Sequence, residues 1–256
     1  MTTTATTGVR LEANVHVVTG RTSAVRNIVA CVERAELSVI DTVVEQYAAS
    51  EAVLTDDEKE LGVALLNIGA GSSTLAVFDR GAPWHTAVIE LGGDHFTNDV
   101  AVGLRMPMRE AESLKCRCGC ALTTLIDGNE SIEVASIGRR PPRVLPRRLL
   151  AEILQPRAEE LFQQVGREIH AAGCDERLNA GVVLTGGGAL LTGIEEIAEM
   201  ALTLPIRRAG PEGLGGLEDH VGSPAFATVA GVVQRAYRRQ SKLRPRFALF
   251  TSRLRL

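Results

Sequence analysis

No run in the sequence approaches the roughly 18 consecutive apolar residues that a membrane-spanning helix requires. The opening MTTTATTG lacks both the basic and the apolar segments of a secretion signal, so the chain is expected in the cytoplasm. Cysteine is sparse and odd in number: the five are Cys31, Cys116, Cys118, Cys120 and Cys174. Without a secretion signal, that count argues against a disulfide framework. Cys116, Cys118 and Cys120 read C-R-C-G-C, without the two-residue gaps that wrap thiolates around zinc and without a His pair nearby, so no metal site is expected. Acidic residues are missing from the end of the chain. The last eight basic residues (Arg235, Arg238, Arg239, Lys242, Arg244, Arg246, Arg253 and Arg255) have no acid among them, which leaves 20 basic against 31 acidic residues in 1–234. An acidic body thus carries a basic tail, of the kind that seeks anionic surfaces, membrane or nucleic acid. A second basic cluster, RRPPRVLPRR from Arg139 to Arg148, reads as a loop from its prolines.

What is present is a globular composition, 45% hydrophobic and 23% charged over 256 residues, enough for one large domain or two modest ones. Residues 9–18 alternate as a half-buried strand does, and Thr22 and Ser23 can cap a helix with the stripe Val25, Ile28, Val29 and Val32. A β-rich run at 39–44 and a short helix at 48–54 complete a strand-helix-strand-helix block. After the acidic TDDEKE, apolar runs at 62–68, 74–78 and 84–91 with short turns predict a three-strand meander. Helices are expected at 94–104 and 108–117, a small strand at SIEVASI, and a long helix over 146–172 that Pro156 should kink. A buried strand (180–185), a helix (191–202), a short strand (204–207) and a helix (224–237) follow. The alternation makes this an α/β protein. With the middle part set aside as an insertion, the order of the second block is that of the ribonuclease H-like fold used twice in actin-like ATPases.

Two glycine runs stand at strand ends. Gly69-Ala70-Gly71-Ser72-Ser73 joins two strands, where small residues let backbone N–H groups approach a phosphate and hydroxyls can donate to it; a plain hairpin turn reads the same way. Gly186-Gly187-Gly188 joins a buried strand to a helix, so its backbone can pass under a flat ligand, or simply turn the chain. Two such loops at the carboxyl ends of strands favour a nucleotide over either alone.

The stretches HTAVI-x-LGG, KCRCGCAL, QPRAEEL and AGVVLTGGGALLTGIEEIAE, together with VRLEANVHVVTG and SPAFATVAGVV, resemble in order the FtsA family of bacterial cell-division proteins, over residues 9–237. The resemblance implies an actin-like ATPase fold of which the first half lacks its opening meander. Residues 1–54 would be a remnant of the first subdomain, 55–91 with 179–240 the second, 92–178 an inserted small subdomain beside the adenosine site, and 241–256 a basic tail. It further implies that Gly69, Gly71, Ser72 and Ser73 form the second phosphate loop, that Gly186, Gly187 and Gly188 form the adenosine loop, and that Glu112 and Lys115 contact the nucleoside. The i, i+3 spacing of that last pair puts both on one helical face; a solvated ion pair is the bland alternative.

The departures bear on chemistry. Where the family resembles D-I-G-G-G-T this chain has Asn67-Ile68-Gly69-Ala70-Gly71-Ser72, so an amide replaces the carboxylate that would hold a Mg²⁺-bound water. ATP, with or without Mg²⁺, is therefore expected to bind weakly or not at all, with no catalytic residues. The implied partners are the FtsZ tail, copies of the chain itself in actin-like filaments, and the anionic inner membrane surface at the division site; no specific nucleic acid is expected. Membrane contact would fall to Phe247, Phe250 and Leu254, at i, i+3 and i+7 beside Arg246 and Arg253. The reading is a scaffold tethering FtsZ filaments to the membrane. Its alternatives are a phosphotransferase or ATPase of the same superfold, and a non-functional remnant.

Overall fold

Six consecutive buried residues, Val63–Ile68, form β1, the strand around which the rest is arranged. The computed structural model describes residues 12, 13, 15–138, 141–216 and 221–243. β2 (Ser73–Asp79) and β3 (Ala82–Ile89) fold back antiparallel as the expected meander, with Ile68 opposite Ser73 and Ser73 opposite Ile89. On the other side of β1 lies β6 (Val182–Thr185), parallel to it, and then β7 (Ile206–Arg208), giving the order β3-β2-β1-β6-β7. A parallel neighbour cannot be reached by a tight turn. The intervening chain supplies α4 (Gly93–Gly103), α5 (Met108–Cys118), the hairpin of β4 (Ser131–Val134) with β5 (Arg143–Pro146), and α6 (Arg147–Ala171). Pro156 lies inside α6 without ending it. α7 (Ile194–Leu202) links β6 to β7, and α8 (Ala227–Leu243) follows.

The period of two along the strands divides the core into two layers. Ala64, Leu66 and Ile68 of β1, with Val182 and Leu184 of β6, face a large cluster built from α4, α5, α6 and α7. Val63, Leu65 and Val183 face the other way, toward α2 (Glu45–Val53) and α8. That second layer is thin because its residues are small: Ala49 and Ala52 of α2 meet Ala227 and Ala230 of α8. An ideal Cβ at Gly231 would lie only 1.7 Å from the Ala48 carbonyl oxygen, so the two helices cross in backbone contact. α3 (Asp56–Leu61), formed in the acidic TDDEKE stretch, starts with a capping box between Thr55 and Glu58. Glu58 also takes Arg207 of β7 in both arms, at 2.6 and 2.8 Å, and Arg207 reaches the Val53 carbonyl at 3.0 Å.

Several expectations are corrected. The chain divides into the units Met1–Asp41 and Thr42–Leu256. Among the described residues of the first, α1 (Thr22–Arg34) is the element present; Thr22 and Ser23 stand inside its first turn, and Arg21 occupies the cap position without a side-chain bond. No strand forms over the described residues of 9–18 or at 39–44, where Ile40 is 92% exposed. Apolar alternation makes a strand only when a partner completes its hydrogen bonds. The helix placed at 48–54 starts at Glu45 and belongs to the core of the second unit. RRPPRVLPRR is not simply a loop, because Arg143–Pro146 pairs with β4 as β5.

Replacing Gly231 by Ala should force α2 and α8 apart and cost about 1–3 kcal/mol in urea denaturation. Gly128→Ala, where an added Cβ meets nothing within 4 Å, should change stability by no more than about 0.5 kcal/mol.

Candidate functional site

Because β1 and β6 are parallel, both end on the same edge of the sheet, with Asn67 beside Thr185. The turns that follow them, at 69–72 and 186–188, therefore stand side by side although more than a hundred residues separate them in sequence. Gly186 has φ +87°, and an ideal Cβ there would lie 2.3 Å from Asn67 Oδ1 and 2.5 Å from the Ile68 carbonyl oxygen. At Gly188 the same atom would come within 2.3 Å of Ile68 Cγ2. Only glycine lets the second turn press against the first. Gly187, between them, has open space on its free side.

The first turn is bound to the start of α4. The Gly69 N–H donates to the Ser72 carbonyl at 3.0 Å, while the carbonyls of Gly69 and Ala70 accept from the N–H groups of Gly93 (2.9 Å) and Asp94 (2.8 Å). His95 Nδ1 accepts from the Gly92 N–H at 3.1 Å and closes the helix start. Opposite, on α5, Lys115 is almost buried. Its ammonium donates to Glu112 (2.7 Å), the Thr97 hydroxyl (2.8 Å) and the Gly93 carbonyl (2.9 Å), which accounts for all three of its hydrogens. Burial opposes ionisation of Glu112, but hydrogen bonds from Lys115, Thr97 and Cys116 and the Lys115 charge outweigh it and hold the carboxyl below the usual range.

These walls enclose a cavity of about 600 Å³. Gly69, Glu112, Lys115, Gly186, Gly187 and Gly188 line it, as do Glu45, Asn67 and Thr228. Gly71, Ser72 and Ser73 do not line it; the Ser73 side chain is buried and donates to the Leu91 carbonyl at 2.7 Å. Glu45 was not found by sequence reasoning. It opens α2, and Asn67 Nδ2 donates to its Oε1 at 2.7 Å and to Thr228 Oγ1 at 3.3 Å. The available signal was an acidic residue in the first turn of a helix, too common to single it out. Cys116 also faces the cavity and bonds Glu112 at 3.3 Å, and all five cysteines are free thiols. Among the described residues no three His, Cys, Asp or Glu side chains gather as a metal site would need, and no helix is long and apolar enough to cross a membrane. In the basic cluster, Arg143 bonds the Leu104 carbonyl, and Arg147 bonds Glu130 (2.6 Å) and the Cys118 carbonyl (2.8 Å). Phe247, Phe250 and Leu254 lie outside the described residues.

Solved proteins of the actin-like fold superpose on this sheet and its helices. MreB5 of Spiroplasma citri bound to ADP matches with a TM-score of 0.67 at 17% identity, covering 88% of this chain and 69% of that one. The MamK double helical filament matches with a TM-score of 0.64 at 14% identity, covering 85% and 66%. The family model described as Cell division protein FtsA matches residues 64–231, and one described as Type IV pilus assembly protein PilM matches residues 4–121. The FtsA of Pseudomonas aeruginosa is 46% identical over 234 residues, 91% of this chain and 56% of the relative. That of Neisseria meningitidis serogroup B is 40% identical over 237 residues, 92% and 57%. The chain belongs to the FtsA family and spans little more than half the length of these relatives.

The Glu112 carboxyl titrates lower in the fold than in the unfolded chain, so its stabilisation is present above the ordinary glutamate pKa and is lost as pH falls through the folded value. Wild type should therefore exceed Glu112→Gln in stability at pH 7, by no more than about 1 kcal/mol because half the carboxylate side chain is exposed and screened. Thermal melts of both proteins should converge as the pH is taken below the ordinary glutamate range.

Proposed function

We propose that the chain is a non-catalytic, actin-like scaffold of cell division that holds a nucleotide, ATP or its product, as a structural ligand. The observation that carries this reading is the convergence of the two glycine turns on one cavity, within the size range of small-molecule sites. Gly69 and Gly186 to Gly188 would bring backbone against the ligand, with Glu112 and Lys115 at the nucleoside end. The related fold in MreB5, bound to ADP, supports the ligand class.

The division role follows from family membership. The scaffold tethers FtsZ filaments to the inner face of the cell membrane and self-associates into actin-like filaments, for which the MamK filament is a precedent in fold. Residues 55–91 with 179–240 serve as the second actin-like subdomain, together with α2 from residues 1–54, whose remainder is what is present of the first. The segment 92–178 receives the FtsZ tail, and 241–256 contact anionic lipid through Phe247, Phe250 and Leu254.

Calorimetry with ADP should give a Kd of about 0.1–1 mM, and no phosphate release should be detectable with ATP. Gly187→Leu should fill the cavity and abolish ADP binding without lowering the melting temperature, since the added side chain starts in open space. Binding that survives this change would move the ligand elsewhere, and sustained turnover would make the protein an enzyme. Separately, removal of residues 241–256 should abolish co-sedimentation with anionic vesicles, and Phe250→Glu should weaken it with every basic residue retained. Unchanged sedimentation of both variants would refute the anchor.

A further inference from the structure

Asn67 is a buried polar residue, 5% exposed, at the carboxyl end of the central strand. The strand alternation that turns Val63 and Leu65 toward α2 and α8 turns Asn67 the same way, which is why its side chain meets Glu45 and Thr228. An ionised carboxylate only accepts hydrogen bonds, so the end of the amide facing Glu45 is its nitrogen. That nitrogen has two hydrogens. One goes to Glu45 Oε1 at 2.7 Å and the other to Thr228 Oγ1 at 3.3 Å. The amide oxygen points to the tight side, where Gly186 leaves no room even for a Cβ.

A divalent cation such as Mg²⁺ needs oxygen lone pairs, which take either the ion itself or the hydrogens of its bound waters. Here the point facing Glu45 is occupied by N–H hydrogens, which repel a cation. The Mg²⁺ implied by the family's D-I-G-G-G-T pattern therefore does not fit the residues present. We infer that the Glu45 end of the cavity is closed to divalent cations by the Asn67 amide, and that the cavity takes its nucleotide without metal; the second clause rests on the nucleotide reading above. The amide does for Glu45 what a bound cation would do for two facing carboxylates: it holds the acid in place with positive polarity. An aspartate at the same position would set two carboxylates against each other at hydrogen-bond distance, an arrangement that takes up either a proton or a cation.

The inference is tested on the full chain with Mn²⁺ as the probe, read by electron paramagnetic resonance, and with ADP in parallel. Wild type should show no Mn²⁺ site tighter than about 1 mM that Glu45→Gln removes. Asn67→Asp should gain such a site, and Asn67→Asp combined with Glu45→Gln should lose it again. ADP affinity of wild type should be the same within about twofold in Mg²⁺ and in EDTA, while Asn67→Asp should bind ADP more tightly in Mg²⁺ than in EDTA. A wild-type Mn²⁺ site abolished by Glu45→Gln would overturn the closure. So would a folded Asn67→Asp protein that gains none; circular dichroism establishes its fold, and the wild-type comparison with Glu45→Gln decides the matter if it does not fold. Dependence of wild-type ADP binding on Mg²⁺ would overturn the metal-free clause. Absence of ADP binding in both media would overturn that clause together with the nucleotide reading, and the Mn²⁺ arms would still decide the closure.

Discussion

The parallel pairing of β1 with β6 is the constraint on which the site depends. It sets Leu66 against Leu184 and Asn67 against Thr185, and so brings two turns from distant parts of the sequence to one edge. The meander β1-β2-β3 forms through short connections, but β6 must arrive through a crossover that carries α4, α5 and α6 with it. Those helices are not an ornament on the sheet. Their apolar faces and the even-numbered face of β1 make one continuous cluster, from Ala64 and Leu66 to Leu161, Phe162 and Val165. The wall of the cavity that α5 provides is therefore positioned by the same burial that holds the sheet together.

Much of this was legible in the sequence, for identifiable reasons. Strands β1 and β2 and the helices at 93–103, 108–118 and 147–171 are long enough for their periods to be read, and the glycine runs mark the turns between them. What was not legible depends on partners far away. Residues 39–44 have strand composition and no strand, since composition does not supply a neighbouring ladder. Glu45 and Thr228 reach the site because α2 and α8 cross at Gly231, a contact between positions almost two hundred residues apart. The run Gly69–Ser73 reads as donors to a phosphate or as a plain hairpin turn. In the fold Ser73 is the first residue of β2, and its hydroxyl is committed to Leu91.

The arginines illustrate a similar limit. RRPPRVLPRR reads as a basic loop, yet Arg147 is three-quarters buried and closes the β4–β5 hairpin to α5 through Glu130 and the Cys118 carbonyl. Arg157 clamps Asp99 of α4 in both arms, at 2.6 and 3.0 Å, and Arg177 pairs with Asp79 while lying over the Trp84 ring at 4.0 Å. Bidentate and stacked guanidinium contacts fix relative orientation, which lysine could not do in the same places. A pair such as Arg148 with Glu152 is exposed on both sides and contributes little. Charge counted along the sequence thus overstates how much positive surface is available to an acidic partner.

Lys115 is committed in the same way at the cavity. The family resemblance implies that it contacts the nucleoside, but its three hydrogens are spent on Glu112, Thr97 and Gly93, and its side chain is 12% exposed. A ligand acceptor could claim it only by displacing Glu112, the Thr97 hydroxyl or the Gly93 carbonyl, and the bond lost is comparable to the bond gained. Its role in the fold is instead to tie α5 to the start of α4, and through Gly93 to the turn that follows β1. The glycines at 186 and 188 tolerate no side chain because a Cβ there would meet Asn67 and Ile68, while position 70 carries the methyl group of an alanine on the cavity wall.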